Sequence, residues 1–277
     1  MKTEIRKSLS GWQFWATLGV LCCITLFCAM FVINAYNDET NLQFVRDGFE
    51  RNPYLPMNTL FNRWIGAEWM SPLSSIFFFV FPLCAVIPYG LSFYQERRSG
   101  YMAQMVLRET RGKYLCNKII AVFLSGGLVI TLPVVLNIMA VAMFIPAYKP
   151  DLNYDIYYAV QPFSFGSELF YSTPWLYLVL RVATIFLYAG LAASMSFAIT
   201  FLTRNRFVIL FSPMIFFLLL NYSYTLFPVI YEISPLRFLG AGNICLVSTF
   251  VVVGEALILF ISVITVVLLM GRKKDVL

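Results

Sequence analysis

Six long apolar runs alternate with short polar stretches along the chain. They cover about Trp12 to Ala35, Pro72 to Phe93, Ile119 to Ile145, Trp175 to Leu202, Phe207 to Phe227 and Leu246 to Met270. Each is near or above the roughly 20 residues that carry a helix across about 30 Å of hydrocarbon. The pattern predicts an all-α membrane protein: one transmembrane domain over residues 1–277 with six spanning helices. The first run is too long for the apolar core of a signal peptide, and no A-x-A cleavage site follows Asn34, so it reads as a retained span. Ahead of it, Ile5, Leu9 and Trp12 fall at i, i+4 and i+7, the stripe of a short interfacial helix.

Composition agrees with the bilayer as solvent. Hydrophobic residues make up 60% and charged residues 12% of the 277, against about 25% charged in a soluble domain. A net charge of +6 raises nucleic acid as a partner class, but the bases flank apolar runs and form no patch of their own. No nucleic-acid partner is expected. The distribution of Lys and Arg sets the orientation. The N-terminal tail, the 94–118 loop, the 203–206 turn and the 271–277 tail hold 14 of the 20 bases against four acids, Glu4, Glu96, Glu109 and Asp275, a net +10. The rest of the chain carries six bases against ten acids, a net −4. Both termini are therefore expected on the cytoplasmic side.

Candidate chemistry is sparse. The chain has no His, and its six Cys (Cys22, Cys23, Cys28, Cys84, Cys116 and Cys245) form no CxxC pair, so neither a metal site nor a His base is expected. Two ionisable residues lie inside runs, Arg181 in the fourth and Glu255 in the sixth. At the bilayer centre such a group costs roughly 2.5–3.5 kcal/mol on insertion scales. Similar depth and opposite charge suggest an Arg181–Glu255 ion pair; the competing reading is that each snorkels to the outer interface. Gly190, Ser194 and Ala198, four apart, predict close helix packing. Asn137 and Asn221 read as hydrogen-bond links between helices. The stretch Ser234 to Gly242, broken by Pro235, Gly240 and Gly242, is either a pair of re-entrant helices or a plain outer loop.

Two long outer loops, about 36–71 and 146–174, are rich in aromatics: Phe44, Phe49, Tyr54, Phe61, Trp64 and Trp69 in the first, Tyr148, Tyr154, Tyr157, Tyr158, Phe163, Phe165, Phe170 and Tyr171 in the second. They form a hydrophobic vestibule or docking surface, or else lie on the headgroups where Trp and Tyr are favoured.

The 94–118 loop is the most informative piece. Tyr101, Met102, Met105 and Val106 make one stripe of a short helix over about 100–108, with Ser99 as its expected N-cap. Thr110 is placed to cap a second helix that runs on into the third span. A helix this short is unstable alone and needs a groove, in a cytosolic partner or in anionic membrane lipid.

Glu96-Arg97-Arg98-Ser99-Gly100, the apolar helix after it, and Thr110-Arg111-Gly112-Lys113-Tyr114 leading into a span resemble the permease subunits of type-2 ATP-binding-cassette (ABC) exporters. The architecture of the whole chain is similar to theirs; the sequence motif covers only about residues 94–118. The chain departs from many members in having Val106-Leu107-Arg108-Glu109 where they carry a Thr-Pro turn, and its second outer loop is long for the family. The resemblance implies that residues 100–108 are the coupling helix, with Glu96, Arg97, Ser99, Gly100, Tyr101, Met102, Met105 and Val106 engaging a cytosolic ABC ATPase subunit. It also implies a second permease subunit, identical or different, and export of a hydrophobic or amphipathic cargo. No GxxxxGK[ST] loop occurs, so ATP and Mg belong to the partner and the chain is expected to be a transport subunit without cofactor or enzymatic activity of its own. The design resembles a bacterial plasma-membrane protein. Two other readings stay open: a secondary transporter, for which the halves show no obvious repeat, and a non-transporting sensor or partner subunit.

Overall fold

In the computed structural model, residues 2–41, 58–68, 71–106, 110–153, 158, 160, 164–226, 232–240 and 247–271 are described. Among them every long apolar run except the second folds as one unbroken helix. Without water, a backbone in hydrocarbon must satisfy its N–H and C=O groups within its own segment, and an α-helix does so. The elements are α1 (Lys2–Ser10), α2 (Trp12–Asn41), α3 (Leu60–Arg63), α4 (Pro72–Val86), α5 (Ser92–Arg98), α6 (Tyr101–Val106), α7 (Arg111–Ala142), α8 (Ser167–Ser172), α9 (Pro174–Ile199), α10 (Arg206–Leu226), α11 (Pro235–Phe238) and α12 (Thr249–Gly271). Five of them contain segments long and apolar enough to cross a membrane: Trp12–Asp38, Arg111–Ala142, Pro174–Ile199, Arg206–Ser223 and Thr249–Leu269. The chain is a multi-pass membrane protein built from helices.

The second run departs from expectation. It forms α4, a turn over residues 87–91 and then α5, in place of one span from Pro72 to Phe93. At 1.5 Å per residue the 15 residues of α4 reach about 22 Å, short of the hydrocarbon thickness. Pro88 within the turn has no N–H to extend the helix ladder.

α7 and α9 form the centre. Half or more of their apolar windows is buried, 50% and 56%, against 17% for α10 and 28% for α12, whose outer faces are left to lipid. α7 and α9 cross antiparallel through small residues. A Cβ on Gly190 would stand 2.6 Å from the Phe123 ring, and one on Gly127 would stand 2.6 Å from the Phe186 ring. The two rings meet edge to face at 5.7 Å. Each helix thus lays a phenylalanine over the other's glycine. Between them, a Cβ on Gly126 would lie 2.9 Å from the Ala85 carbonyl oxygen of α4 and 3.2 Å from that of Ala189. Ser194 and Ala198 continue the buried face of α9.

The end of the bundle remote from α1 is closed by the chain itself. Phe61 and Trp64 are each 1% exposed. The Ile65 N–H donates to Asn137 Oδ1 at 2.8 Å, and Asn137 Nδ2 donates to the Thr25 carbonyl of α2 at 2.7 Å. Asn137 thereby ties α7 to α2 and to the segment after α3. Phe170 of α8 is fully buried, with Tyr158, Tyr171 and Tyr177 around it at 5.1–5.4 Å. These aromatics neither line a vestibule nor lie on headgroups; they are core. Tyr148 is exposed. Phe44, Phe49, Tyr54, Trp69, Tyr154, Tyr157 and Phe163 lie outside the described residues.

Candidate functional site

The short helix expected after the second run is present as α6, and the strongest concentration of charge in the described structure lies beside it. Its entry is local in origin. Ser99 does not N-cap α6. It closes α5 instead: its N–H donates to the Gln95 carbonyl at 2.9 Å, the Gly100 N–H follows to the Arg97 carbonyl at 3.5 Å, and the Ser99 hydroxyl donates to the Glu96 carbonyl at 3.2 Å. Gly100 follows at φ +74°, a left-handed conformation that suits glycine and lets the chain reverse into α6. Thr110 precedes α7 in extended conformation, as its expected place requires, without a side-chain cap bond.

The helix then turns its apolar stripe inward. Met102 is 2% exposed, and Met105 packs on the same small cluster, which includes Phe93, Tyr114, Leu115 and Phe197. The Val106 side chain, Leu107 and Arg108 lie outside the described residues.

Beneath this cluster sits Lys118, fully buried on α7. Its Nζ is 2.7 Å from Glu96 Oε1 and 3.2 Å from Glu4 Oε2, and it donates to the Tyr89 hydroxyl at 3.0 Å. The Tyr89 hydroxyl in turn donates to Glu4 Oε2 at 2.8 Å. The Tyr114 hydroxyl donates to Glu96. Lys7 lies 3.7 Å from both Glu4 and Glu96 and donates to the Tyr101 hydroxyl of α6 at 3.3 Å. Two carboxylates and two ammonium groups thus balance in a single cluster that joins α1, the 87–91 turn, α5, α6 and α7.

Burial favours the neutral form of Glu4 and Lys7, but their partners prevail. Glu4 is pushed up by burial, yet Lys118, the Tyr89 hydroxyl and Lys7 together hold its carboxyl below the ordinary value. Burial would lower Lys7, but Tyr101, Glu4 and Glu96 raise it. The cluster holds α1 against α7, with Ile5 and Leu9 packed on the core. Trp12, expected on the same face, starts α2 and is 80% exposed.

Arg97 stands apart from the cluster. It donates to the Thr200 carbonyl at 3.4 Å and lines a cavity of about 360 Å³ with Tyr94, Arg98, Thr203 and Arg204. Burial first, and then the neighbouring Arg204, hold its guanidinium below the ordinary value.

The expected Arg181–Glu255 pair does not form. Arg181, 4% exposed, donates from Nη1 to the Phe238 carbonyl at 2.8 Å and from Nη2 to the Leu239 carbonyl at 2.7 Å. Glu255 accepts instead from the Tyr188 hydroxyl at 3.4 Å, and that hydroxyl also meets the Val252 carbonyl at 2.9 Å. Tyr188 lies seven residues beyond Arg181 on α9, about 10 Å along the axis, so the two charges sit at different depths. Arg181 serves α11, whose last carbonyls it satisfies and whose dipole it complements. Asn221 likewise accepts from Arg237 Nε at 2.9 Å, and Arg237 also pairs with Glu232 at 3.4 Å. Ala241 and Gly242 lie outside the described residues.

Reasoning from the sequence missed Glu4, Lys7, Tyr89, Tyr114 and Lys118. One signal was available: Lys118 adjoins the long apolar run that begins at Ile119, so its side chain needs a counter-charge. No protein family model matches the sequence, and neither the curated proteins nor the solved structures compared with it give a match.

Proposed function

We propose that the chain is the membrane-spanning permease subunit of an ABC exporter, working beside a second permease subunit and driven by a cytosolic ATPase through α6. In this reading α4, the 87–91 turn and α5 make the second of six crossings. Both termini lie in the cytoplasm, and α11 dips into the outer leaflet. The cargo is hydrophobic or amphipathic, as the resemblance implies.

The observation that carries the reading is how α6 is attached. A short helix that only rested on lipid needs no charged tether to the bundle. α6 is bonded through Tyr101 to Lys7, and through Glu96 at its threshold to Lys118 on α7. A load applied to α6 reaches α7 through the buried Glu96–Lys118 pair and α1 through the half-exposed Lys7. Arg98, Ser99 and Gly100 face outward at the same corner and are open to a partner.

Purifying the tagged full-length chain from its native membranes in mild detergent tests this. A cytosolic subunit that hydrolyses Mg-ATP is expected to come down with it. Ser99→Trp, placed on the exposed corner, is expected to release that subunit while leaving the permease monodisperse. Recovery of no nucleotide-hydrolysing subunit under several mild conditions rejects the proposal.

A further inference from the structure

At the end of the bundle where α7 begins and α12 ends, the two helices part and leave a groove of about 470 Å³. Its walls are Leu115 and Ile119 on one side and Ile264, Val267 and Leu268 on the other, with Arg111 at its mouth. The guanidinium of Arg111 is the unusual feature. Its Nε and Nη2 are buried and have no hydrogen-bond partner, and none of the ion pairs found among the described residues involves it. Buried N–H donors of a cation are costly to leave without an acceptor. Among the described residues no carboxylate lines the groove to supply one.

We propose that this groove binds one anionic phospholipid of the cytoplasmic leaflet, with its phosphate on Arg111 and an acyl chain along Leu115, Ile119, Ile264 and Val267. The inference rests on the membrane reading of the chain and not on the exporter reading. The walls are apolar along their whole length, which suits a hydrocarbon chain and no polar ligand. The guanidinium fork matches a phosphate in two N–H···O bonds. The neighbouring sequence is net basic: Lys113, two residues further along α7, is exposed, and Arg272, Lys273 and Lys274, with Asp275, follow α12 in the sequence. The uncapped first turn of α7 adds free N–H groups and the positive end of a 32-residue helix. Basic pockets between spans on this side of a membrane select anionic headgroups for the same reasons. The bound lipid also fills the seam between α7 and α12, joining the core of the bundle to a helix that otherwise packs on it weakly.

The test uses the full chain in phosphatidylcholine nanodiscs titrated with phosphatidylglycerol and read by native mass spectrometry. Wild type is expected to retain one phosphatidylglycerol with about tenfold preference over phosphatidylcholine, the size of one charge-assisted contact. Arg111→Gln is expected to bring that ratio to about one. Val267→Trp, which fills the groove, is expected to abolish retention of either lipid. Cys116 lines the same groove, so phosphatidylglycerol and not phosphatidylcholine is expected to slow its alkylation in wild type, a readout that needs no variant to fold. Equal retention of the two lipids by wild type, or an undiminished preference in Arg111→Gln, overturns the proposal.

Discussion

Replacing Lys118 by Met keeps the length of the side chain and removes the charge at the centre of the Glu4–Lys7–Glu96–Lys118 cluster. Lys118 has no exposed surface, and Glu4 and Glu96 keep only 6% and 15% of their side-chain surface. At separations of 3.2 and 2.7 Å and an effective dielectric of about 20, the gross attractions are about 5 and about 6 kcal/mol. Desolvation of the ammonium offsets several kcal/mol of this. What the variant exposes is the remainder: two largely buried carboxylates with Lys7 as their remaining counter-charge, and a Tyr89 hydroxyl without its donor. Removing one partner of a buried pair costs roughly 3–5 kcal/mol. For a chain of this size that corresponds to a fall on the order of 10 °C in apparent melting temperature. The assay is thermal unfolding in one detergent, with hydrogen exchange of α1 as the local readout. α1 is expected to lose protection before the rest of the bundle. Adding Glu4→Gln and Glu96→Gln to Lys118→Met removes the uncompensated charges and is expected to restore more than half of the loss. A Lys118→Met cost below about 1 kcal/mol, or no recovery in the triple variant, refutes the claim that this cluster holds α1 to α7.

Three further outcomes follow from the geometry. Glu4 sits below its ordinary pKa of 4.5, so its contribution is present above that value and is lost as pH falls through the lower folded-state value. Lys7 sits above its ordinary 10.5, so its contribution is present below that value and is lost as pH rises past the higher one. Spin labels at Arg6→Cys and Lys113→Cys should therefore report one fixed distance across the neutral range and a broadened one in strong acid; a change near pH 7 contradicts the assignment. Gly126→Ala forces a methyl against Ala85 and Ala189 and should cost about 1–3 kcal/mol, whereas Gly254→Ala, with nothing within 4 Å, should be neutral or slightly stabilising in the same melt. Arg181→Met leaves the Phe238 and Leu239 carbonyls without their donor and should cost about 2–5 kcal/mol. Exchanging the charges as Arg181→Glu with Glu255→Arg should give no rescue, since the two do not pair.

The long helices and α6 were legible because their signals are local: a run of apolar residues, a four-residue spacing, a glycine after a serine. The break in the second run was legible too, in Pro88 and Gly90, but an apolar average passes over two such residues. The charge pattern placed Glu4, Glu96 and Lys118 on one face. It could not say that they meet, because α1 and α7 are separated by a hundred residues and only packing brings them together. Arg181 illustrates a different limit. Its partners are two backbone carbonyls, and a carbonyl has no letter in the sequence, so reasoning from charge alone turned to Glu255, the acid inside another apolar run. The outer aromatics were ambiguous for a third reason: a Trp suited to a headgroup is equally suited to a core, and whether Trp64 lies outside or beneath the bundle depends on where Asn137 anchors the segment.

The crossing of α7 and α9 acts as a fulcrum. Phe123 over Gly190 and Phe186 over Gly127 pin the two helices at one level and leave no room for sliding past one another. α7 extends about 14 residues below that point and about 17 beyond it, arms of about 21 and 26 Å. A tug on its lower end, where Lys118 and Arg111 sit, tilts the far end in the opposite sense as long as the helix between them stays straight. Because the far arm is the longer, by about a quarter, a stroke about this pivot arrives slightly enlarged. Pro133, past the pivot, is where the backbone ladder is interrupted and where the far arm can bend instead of following.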